Sequence, residues 1–120
     1  MTLHTPALPS TTRMLGADHF RAMRDDCIFI NTSRGSCIDE AALAAELAKG
    51  RLFAFLDVSD PEPPAADSPL RRLPNVVYTS HIAGPPSFNM GAQAVDDVAA
   101  FLRGGKPRCV QTADMLERIA

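Results

Sequence analysis

An arginine, a glutamate and a histidine each lie just past a short apolar run in this chain, and the three residue types together suit acid–base chemistry on a small anion. Arg34 stands in Ile28-Phe29-Ile30-Asn31-Thr32-Ser33-Arg34-Gly35. Glu62 stands in Leu56-Asp57-Val58-Ser59-Asp60-Pro61-Glu62-Pro63, and His81 in Val76-Val77-Tyr78-Thr79-Ser80-His81-Ile82-Ala83-Gly84. A guanidinium is a planar fork of donors that matches a carboxylate and stays charged at any working pH. An imidazole gives or takes a proton near neutrality. A carboxylate beside it fixes its tautomer and favours its charged form, which raises its pKa. Such a trio can grip a carboxylate substrate and pass it a proton. Taken singly, each residue also has a plainer reading: a surface-turn arginine, a solvated loop glutamate, a hydrogen-bonded strand-end histidine.

The elements around these residues must bring them together. Cys27 to Asn31 is a continuous apolar run between polar turns, the pattern of a strand buried on both faces. Leu52 to Val58 predicts a second buried strand and Val76 to Thr79 a short third one. Leu3-His4-Thr5-Pro6 reads as the end of an earlier strand, and Ala7 to Thr12 as loop. Ala17 to Arg24 predicts a short helix with Phe20 and Met23 on one face. Ala41 to Lys49 is rich in helix formers, with Leu43 and Leu47 four apart. Asp39 is placed to cap that helix, Glu40 to complement its dipole, and Gly50 to end it. Residues 59–75 hold five prolines and form a long irregular connection. Phe88, Ala92, Val95, Ala99 and Leu102 lay one apolar stripe along a last helix, directed at a core. Gly104-Gly105 and Pro107 close it, and Pro85-Pro86 bear on where it starts. A short helix from Asp114 is the reading for the tail. Strand and helix alternate throughout, which predicts an α/β fold with a parallel, helix-covered sheet. In open parallel sheets ligands sit at the carboxyl ends of the strands, and Arg34, Asp57 and His81 all fall there.

Composition narrows the function classes. A chain of 120 residues with 46% apolar and 22% charged residues is about one globular domain. A net charge of −2 gives no electrostatic reason to expect nucleic acid or an anionic membrane as partner. No apolar run approaches the roughly 18 residues of a spanning helix. Met1-Thr2-Leu3-His4-Thr5-Pro6 has neither the basic nor the apolar stretch of a secretory signal, so the expected compartment is the cytoplasm. Cys27, Cys37 and Cys109 are odd in number and widely spaced, which suits reduced thiols and predicts no metal site. No G-x-S-x-G or H-E-x-x-H supports a hydrolase.

Four motifs follow one another in a fixed order: Ile-Asn-Thr-Ser-Arg-Gly at 30–35, Asp-Glu-Ala-Ala-Leu at 39–43, Leu-Asp-Val-x-x-x-Glu-Pro at 56–63 and Thr-x-His-Ile-x-Gly at 79–84. In this combination the chain resembles the C-terminal half of the NAD-binding domain of the D-isomer-specific 2-hydroxyacid dehydrogenases, over about Leu3 to Pro107. The resemblance implies the C-terminal half of a Rossmann-like, doubly wound parallel sheet, a three-layer α/β/α arrangement that is incomplete in this sequence. It assigns residues 1–107 to the NAD(P)-binding domain and 108–120 to a tail. It implies hydride transfer between NAD or NADP and a small 2-keto or 2-hydroxy acid, with a homodimeric full-length enzyme. By the same resemblance Arg34 clamps the substrate carboxylate, and Glu62 and His81 form the acid–base pair. Asp57 would hydrogen-bond the nicotinamide carboxamide. Thr32 and Ser33 would lie along the nicotinamide ribose, and His4 and Pro6 would border it. Arg34, His81 and Gly84 complete the implied cofactor-binding set.

The chain also departs from the family pattern. Its seven glycines, at 16, 35, 50, 84, 91, 104 and 105, nowhere spell G-x-G-x-x-G, so the phosphate-cradling turn is not in this sequence. The substrate-binding domain is not in it either. Ser80 replaces a usual proline, Ala83 a common glycine and Ser59 an often aromatic residue. The leading expectation is therefore part of a dehydrogenase. The alternative is an inactive truncated copy or a corepressor-like interaction module of the same fold. Half of a doubly wound sheet is expected to leave a strand edge and an apolar helix stripe uncovered.

Overall fold

In a computed structural model, residues 1–84 and 88–115 are described; Pro85-Pro86 and the tail beyond Met115 lie outside them. Met1–Ala83 form one compact unit, and a second begins at Gly84. The first holds four parallel strands, β1 (Thr2–Leu3), β2 (Cys27–Asn31), β3 (Leu52–Leu56) and β4 (Val76–Tyr78), in one sheet of order β1-β2-β3-β4. Leu3 lies opposite Asn31, Asn31 opposite Leu56, and Leu56 opposite Tyr78. The last residues of all four strands are therefore in line, and whatever follows each strand emerges along one edge of the sheet.

Helix α1 (Ala17–Arg21) joins β1 to β2, and α2 (Glu40–Leu47) joins β2 to β3. Successive right-handed crossovers to adjacent strands put both helices on the same face. The core forms there. Phe20 and Phe29 meet edge to face at 5.6 Å, and Leu43, Leu47 and Leu52 pack around them, none more than 1% exposed. Each such side chain contributes on the order of 2 kcal/mol by leaving water. Asp39 caps α2 as the sequence indicates, its Oδ1 accepting the Ala42 N–H at 3.0 Å. Gly50 stops the helix with φ of +77°, a conformation that costs glycine little. Helix α1 ends at Arg21, short of the predicted Arg24. There the Arg51 guanidinium donates to the carbonyls of Phe20, Arg21 and Met23 and replaces the main-chain donors that would extend the helix.

One sequence expectation is overturned in this unit. β2 and β3 are not buried on both faces. Ile28, Phe53, Phe55 and Val77 are 44–49% exposed, while Phe29, Ala54 and Leu56 between them are buried. The pleat sends alternate side chains to opposite faces, and α1 and α2 pack on only one of them.

The second unit contains α3 (Phe88–Leu102). The Gly105 N–H bonds back to the Ala100 carbonyl at 2.8 Å, and Gly104 takes φ of +75°, which ends the helix where the sequence places its close. Asp97 accepts the N–H groups of Arg108 and Cys109 and folds the following segment back along the helix. The stripe residues Val95 and Leu102 are exposed, in line with the expectation that half of a doubly wound sheet leaves an apolar helix stripe uncovered; the Phe88 side chain lies outside the described residues. Of the expected tail helix, one 3-10 turn, Ala113–Met115, is described. Among the described residues no helix is long and apolar enough to cross a membrane.

Candidate active site

The turn that carries Arg34 is built by the residue closing β2. Asn31 is fully buried; its Oδ1 accepts the Ser33 N–H at 3.0 Å and its Nδ2 donates to the Arg34 carbonyl at 3.0 Å. An asparagine that bonds the backbone ahead of it bends the chain in this way. Gly35 then lies so close to the segment after β3 that an added Cβ would stand 2.0 Å from the Ser59 carbonyl carbon. Only glycine allows that approach. Arg34 itself is exposed, and its Nη1 donates to the Ser33 carbonyl at 2.8 Å.

Beyond β3 and β4 the arrangement is tighter. His81 Nδ1 and Glu62 Oε1 are 2.6 Å apart, with both side chains roughly half exposed. An ionised carboxylate can only accept, so Nδ1–H donates and Nε2 is the ring atom left to exchange a proton. His81 adopts φ of +56°, a left-handed conformation costing roughly 1–2 kcal/mol for a residue with a Cβ. Asp57 holds it there. Its carbonyl accepts the His81 N–H at 2.8 Å. Its Oδ1 accepts the Thr79 hydroxyl at 2.5 Å and the Ile82 N–H at 2.9 Å, and its Oδ2 accepts the Ala83 N–H at 2.9 Å. Burial alone would push the Asp57 carboxyl up. The Thr79, Ala83 and Ile82 hydrogen bonds, with the nearby His81 charge, outweigh it and hold the carboxyl below its ordinary range.

The segment leading to Glu62 is tied to the helix side at Asp60. Glu40 Oε1, in the first turn of α2, accepts the Asp60 N–H at 2.9 Å. Burial pushes the Glu40 carboxyl up; the Asp60 N–H opposes that and the Asp60 charge reinforces it. The sequence reading gave Glu40 only a dipole role and Asp57 only a cofactor role. The link from Glu40 to Asp60 and the brace from Asp57 to the His81 turn depend on strand register. Their one sequence signal is that each carboxylate sits at the end of an element.

The residues implied to hold the cofactor fall along the same edge. His4 and Pro6 follow β1, Thr32 and Ser33 follow β2, and the pairing of Leu3 with Asn31 makes the two segments neighbours. Ser33 Oγ donates to the Thr5 carbonyl, and His4 Nε2 pairs with Thr2 Oγ1 at 3.0 Å. Thr5, which the sequence reading passed over between His4 and Pro6, has a buried hydroxyl with no partner. An orphaned hydroxyl between these strand ends fits a ligand rich in oxygen, such as the sugar of a dinucleotide. Gly84 has open space where a Cβ would stand, so contact does not require glycine there.

Within the first unit a cavity of about 820 Å³ is lined by Asp57, Glu62 and His81 among others, while Arg34 is not part of its wall. The structure thus gathers Asp57, Glu62 and His81 around one space and sets Arg34 at the adjacent strand end.

Residues 1–83 match the family model described as the NAD binding domain of D-isomer specific 2-hydroxyacid dehydrogenases. The chain is 43% identical over 103 residues to glyoxylate/hydroxypyruvate reductase B of Escherichia fergusonii, covering 82% of this chain and 32% of that protein. It is similar in structure to D-lactate dehydrogenase with NAD+ from Lactobacillus jensenii, with a TM-score of 0.81 at 33% identity over 92% of this chain and 38% of that one. A D-isomer specific 2-hydroxyacid dehydrogenase from Xanthobacter autotrophicus Py2, in complex with NADPH and MES, gives a TM-score of 0.77 at 31% identity over 89% of this chain and 45% of that one. The chain spans about a third of the length of the curated relatives it matches, 32% in this case. Its parallel sheet is of the Rossmann-like type found in these neighbours. A match that runs through the whole first unit, strand ends included, settles the family: the chain belongs to the D-isomer specific 2-hydroxyacid dehydrogenases, within their NAD-binding domain.

Proposed function

We propose that the full-length protein carrying this chain interconverts small 2-keto acids and D-2-hydroxy acids with NAD or NADP. The observation that carries this reading is the 2.6 Å contact between His81 Nδ1 and Glu62 Oε1 at the carboxyl edge of a parallel sheet. A bound nicotinamide supplies a hydride to the keto carbon, or accepts it in the reverse direction. The protein's part is proton traffic and grip. His81 Nε2 gives its proton to the keto oxygen as negative charge grows there, and takes the hydroxyl proton in the oxidation. Glu62 balances the imidazolium and fixes its tautomer. Arg34, whose guanidinium keeps donors beyond the one on Ser33, takes the substrate carboxylate. His4, Pro6, Thr32, Ser33, Asp57 and Gly84 border the cofactor, and the unpartnered Thr5 hydroxyl supports that placement.

Relatives named for glyoxylate, hydroxypyruvate and glycerate support a two- or three-carbon substrate. The same reading makes the full-length protein a cytoplasmic homodimer. The test follows NADH oxidation with glyoxylate, hydroxypyruvate or pyruvate. His81→Asn removes the imidazole while asparagine tolerates the left-handed backbone. It is expected to lower kcat by about 10²- to 10⁴-fold and to change NADH affinity little. Undiminished turnover in that variant ends the assignment.

A further inference from the structure

We propose that Glu40 is a positioning residue for proton transfer: through the Asp60 N–H it holds the arm that presents Glu62 to His81. The inference rests on the dehydrogenase reading above and adds a residue to its proton-transfer machinery.

The contact that orients His81 does not hold itself in place. The His81 and Glu62 side chains are 48% and 42% exposed, and an ion pair so open to water is worth little by itself. Glu62 must therefore be delivered by its backbone. Asp60-Pro61-Glu62-Pro63 is suited to that. Each proline fixes its own φ and confines the residue before it, so the whole arm has few ways to turn. A displacement at Asp60 is passed on to Glu62 rather than absorbed.

The residues that lead into this arm are anchored one after another, each from a different element. The Tyr78 hydroxyl, at the end of β4, donates to the Val58 carbonyl at 3.2 Å. Ser59 lies against Gly35, where an added Cβ would meet its carbonyl carbon at 2.0 Å. The Asp60 N–H donates to Glu40 Oε1 at 2.9 Å, from the first turn of α2. Glu40 makes the anchor nearest to Glu62. It is not on the wall of the cavity that Glu62 and His81 line, so it acts through the arm and not on a ligand. Its charge is not what the arm uses. Burial pushes the Glu40 carboxyl up, the Asp60 N–H opposes this, and the Asp60 charge adds to it. The acceptor oxygen is the useful part, and glutamine carries the same oxygen at the same reach.

Two variants of the full-length protein separate reach from charge. Glu40→Asp keeps the charge at the start of the helix but is a methylene too short for Asp60. Glu40→Gln keeps the acceptor and loses the charge. In NADH oxidation with glyoxylate or hydroxypyruvate, Glu40→Asp is expected to lower kcat about 10- to 100-fold, with KM for NADH changed by less than about threefold. Glu40→Gln is expected to stay within about threefold of the unaltered protein in both. Retained kcat in Glu40→Asp, or losses of the same size in both variants, overturns the positioning role and leaves the dehydrogenase reading standing. The His81 ring is also read directly, by the NMR signals of its nitrogens in the protein without substrate. With the ring neutral, the unaltered protein and Glu40→Gln are expected to hold the proton on Nδ1, and Glu40→Asp to populate the Nε2–H form as well. That pattern in a protein that reduces no keto acid would sink the dehydrogenase reading and keep the link from Glu40 to His81. The same tautomer in all three proteins removes the link.

Discussion

At the carboxyl end of β2, Arg34 is fixed by its backbone alone: Asn31 holds its carbonyl, Gly35 seats the turn against Ser59, and the guanidinium stands exposed with one bond to its neighbour's carbonyl. At the ends of β3 and β4 the side chains themselves are tied down. Asp57 gathers Thr79, Ile82 and Ala83, its carbonyl holds His81, and Glu62 takes the ring. The difference suits the two tasks proposed for these residues. A group that captures a diffusing anion needs an anchored base and a side chain free to reach. A proton carrier needs one tautomer and one direction, so its ring is held from behind. The same strand-end geometry delivers both, and the residues just past each strand decide which.

The seam between the two corners is the place where a change should cost most. Gly35→Ala drives a methyl to 2.0 Å from the Ser59 carbonyl carbon, backbone against backbone, with no flexible side chain to yield. A loss of about 3 kcal/mol is expected, read as a fall in the urea midpoint at unchanged slope. Because the seam also seats Arg34, activity of the full-length protein should fall with it. A midpoint equal to that of the unaltered protein would mean that the two corners do not lean on each other.

Within the tied-down corner, Asp57→Asn keeps size and removes charge. Its amide presents donors toward N–H groups that need acceptors, and about 2 kcal/mol of stability should be lost near neutrality. The sign of the pH dependence follows from the depressed carboxyl. A group held below its ordinary value of 3.8 contributes stability that is present above that value and disappears as pH falls through the lower folded one. The gap between Asp57→Asn and the unaltered protein should therefore be full at neutral pH and close below about pH 4. Urea unfolding at stepped pH measures it, and a gap indifferent to pH would show that the charge is not what braces the His81 turn.

Much of this architecture was legible before any coordinates. The helix cap at Asp39, the stop at Gly50 and the parallel strands follow from local chemistry, which acts over a few residues. Arg34, Asp57 and His81 could be placed at strand ends for the same reason. The face-to-face fate of Ile28, Phe53 and Phe55 could not, because an apolar run states what a strand can bury and not which helices pack on it. The contact between Glu62 and His81, 19 residues apart, depends on the register of β3 with β4 and on the path of a proline-rich connection. Residue chemistry and the family resemblance suggested the pair; local sequence gave no distance between them. Glu40 reads in the sequence only as a complement to its helix dipole. Its partner, the Asp60 N–H, belongs to a segment 20 residues further on.

The smallest effect on stability is expected at Arg34, and that expectation is the sharpest probe of the contrast between the corners. The side chain is exposed and its one described bond goes to the carbonyl of the preceding residue, a contact water can replace. Arg34→Gln should therefore shift unfolding by no more than about 0.5 kcal/mol, the usual range for a surface position outside a buried network. The turn persists in the variant, since Asn31 and Gly35 define it through the backbone. If Arg34 serves as the anion grip, the same substitution should raise KM for a keto acid in the full-length protein while the melt barely moves. A destabilisation as large as that of Asp57→Asn would instead show that the guanidinium is structural, and then the free reach inferred for this corner would have no basis.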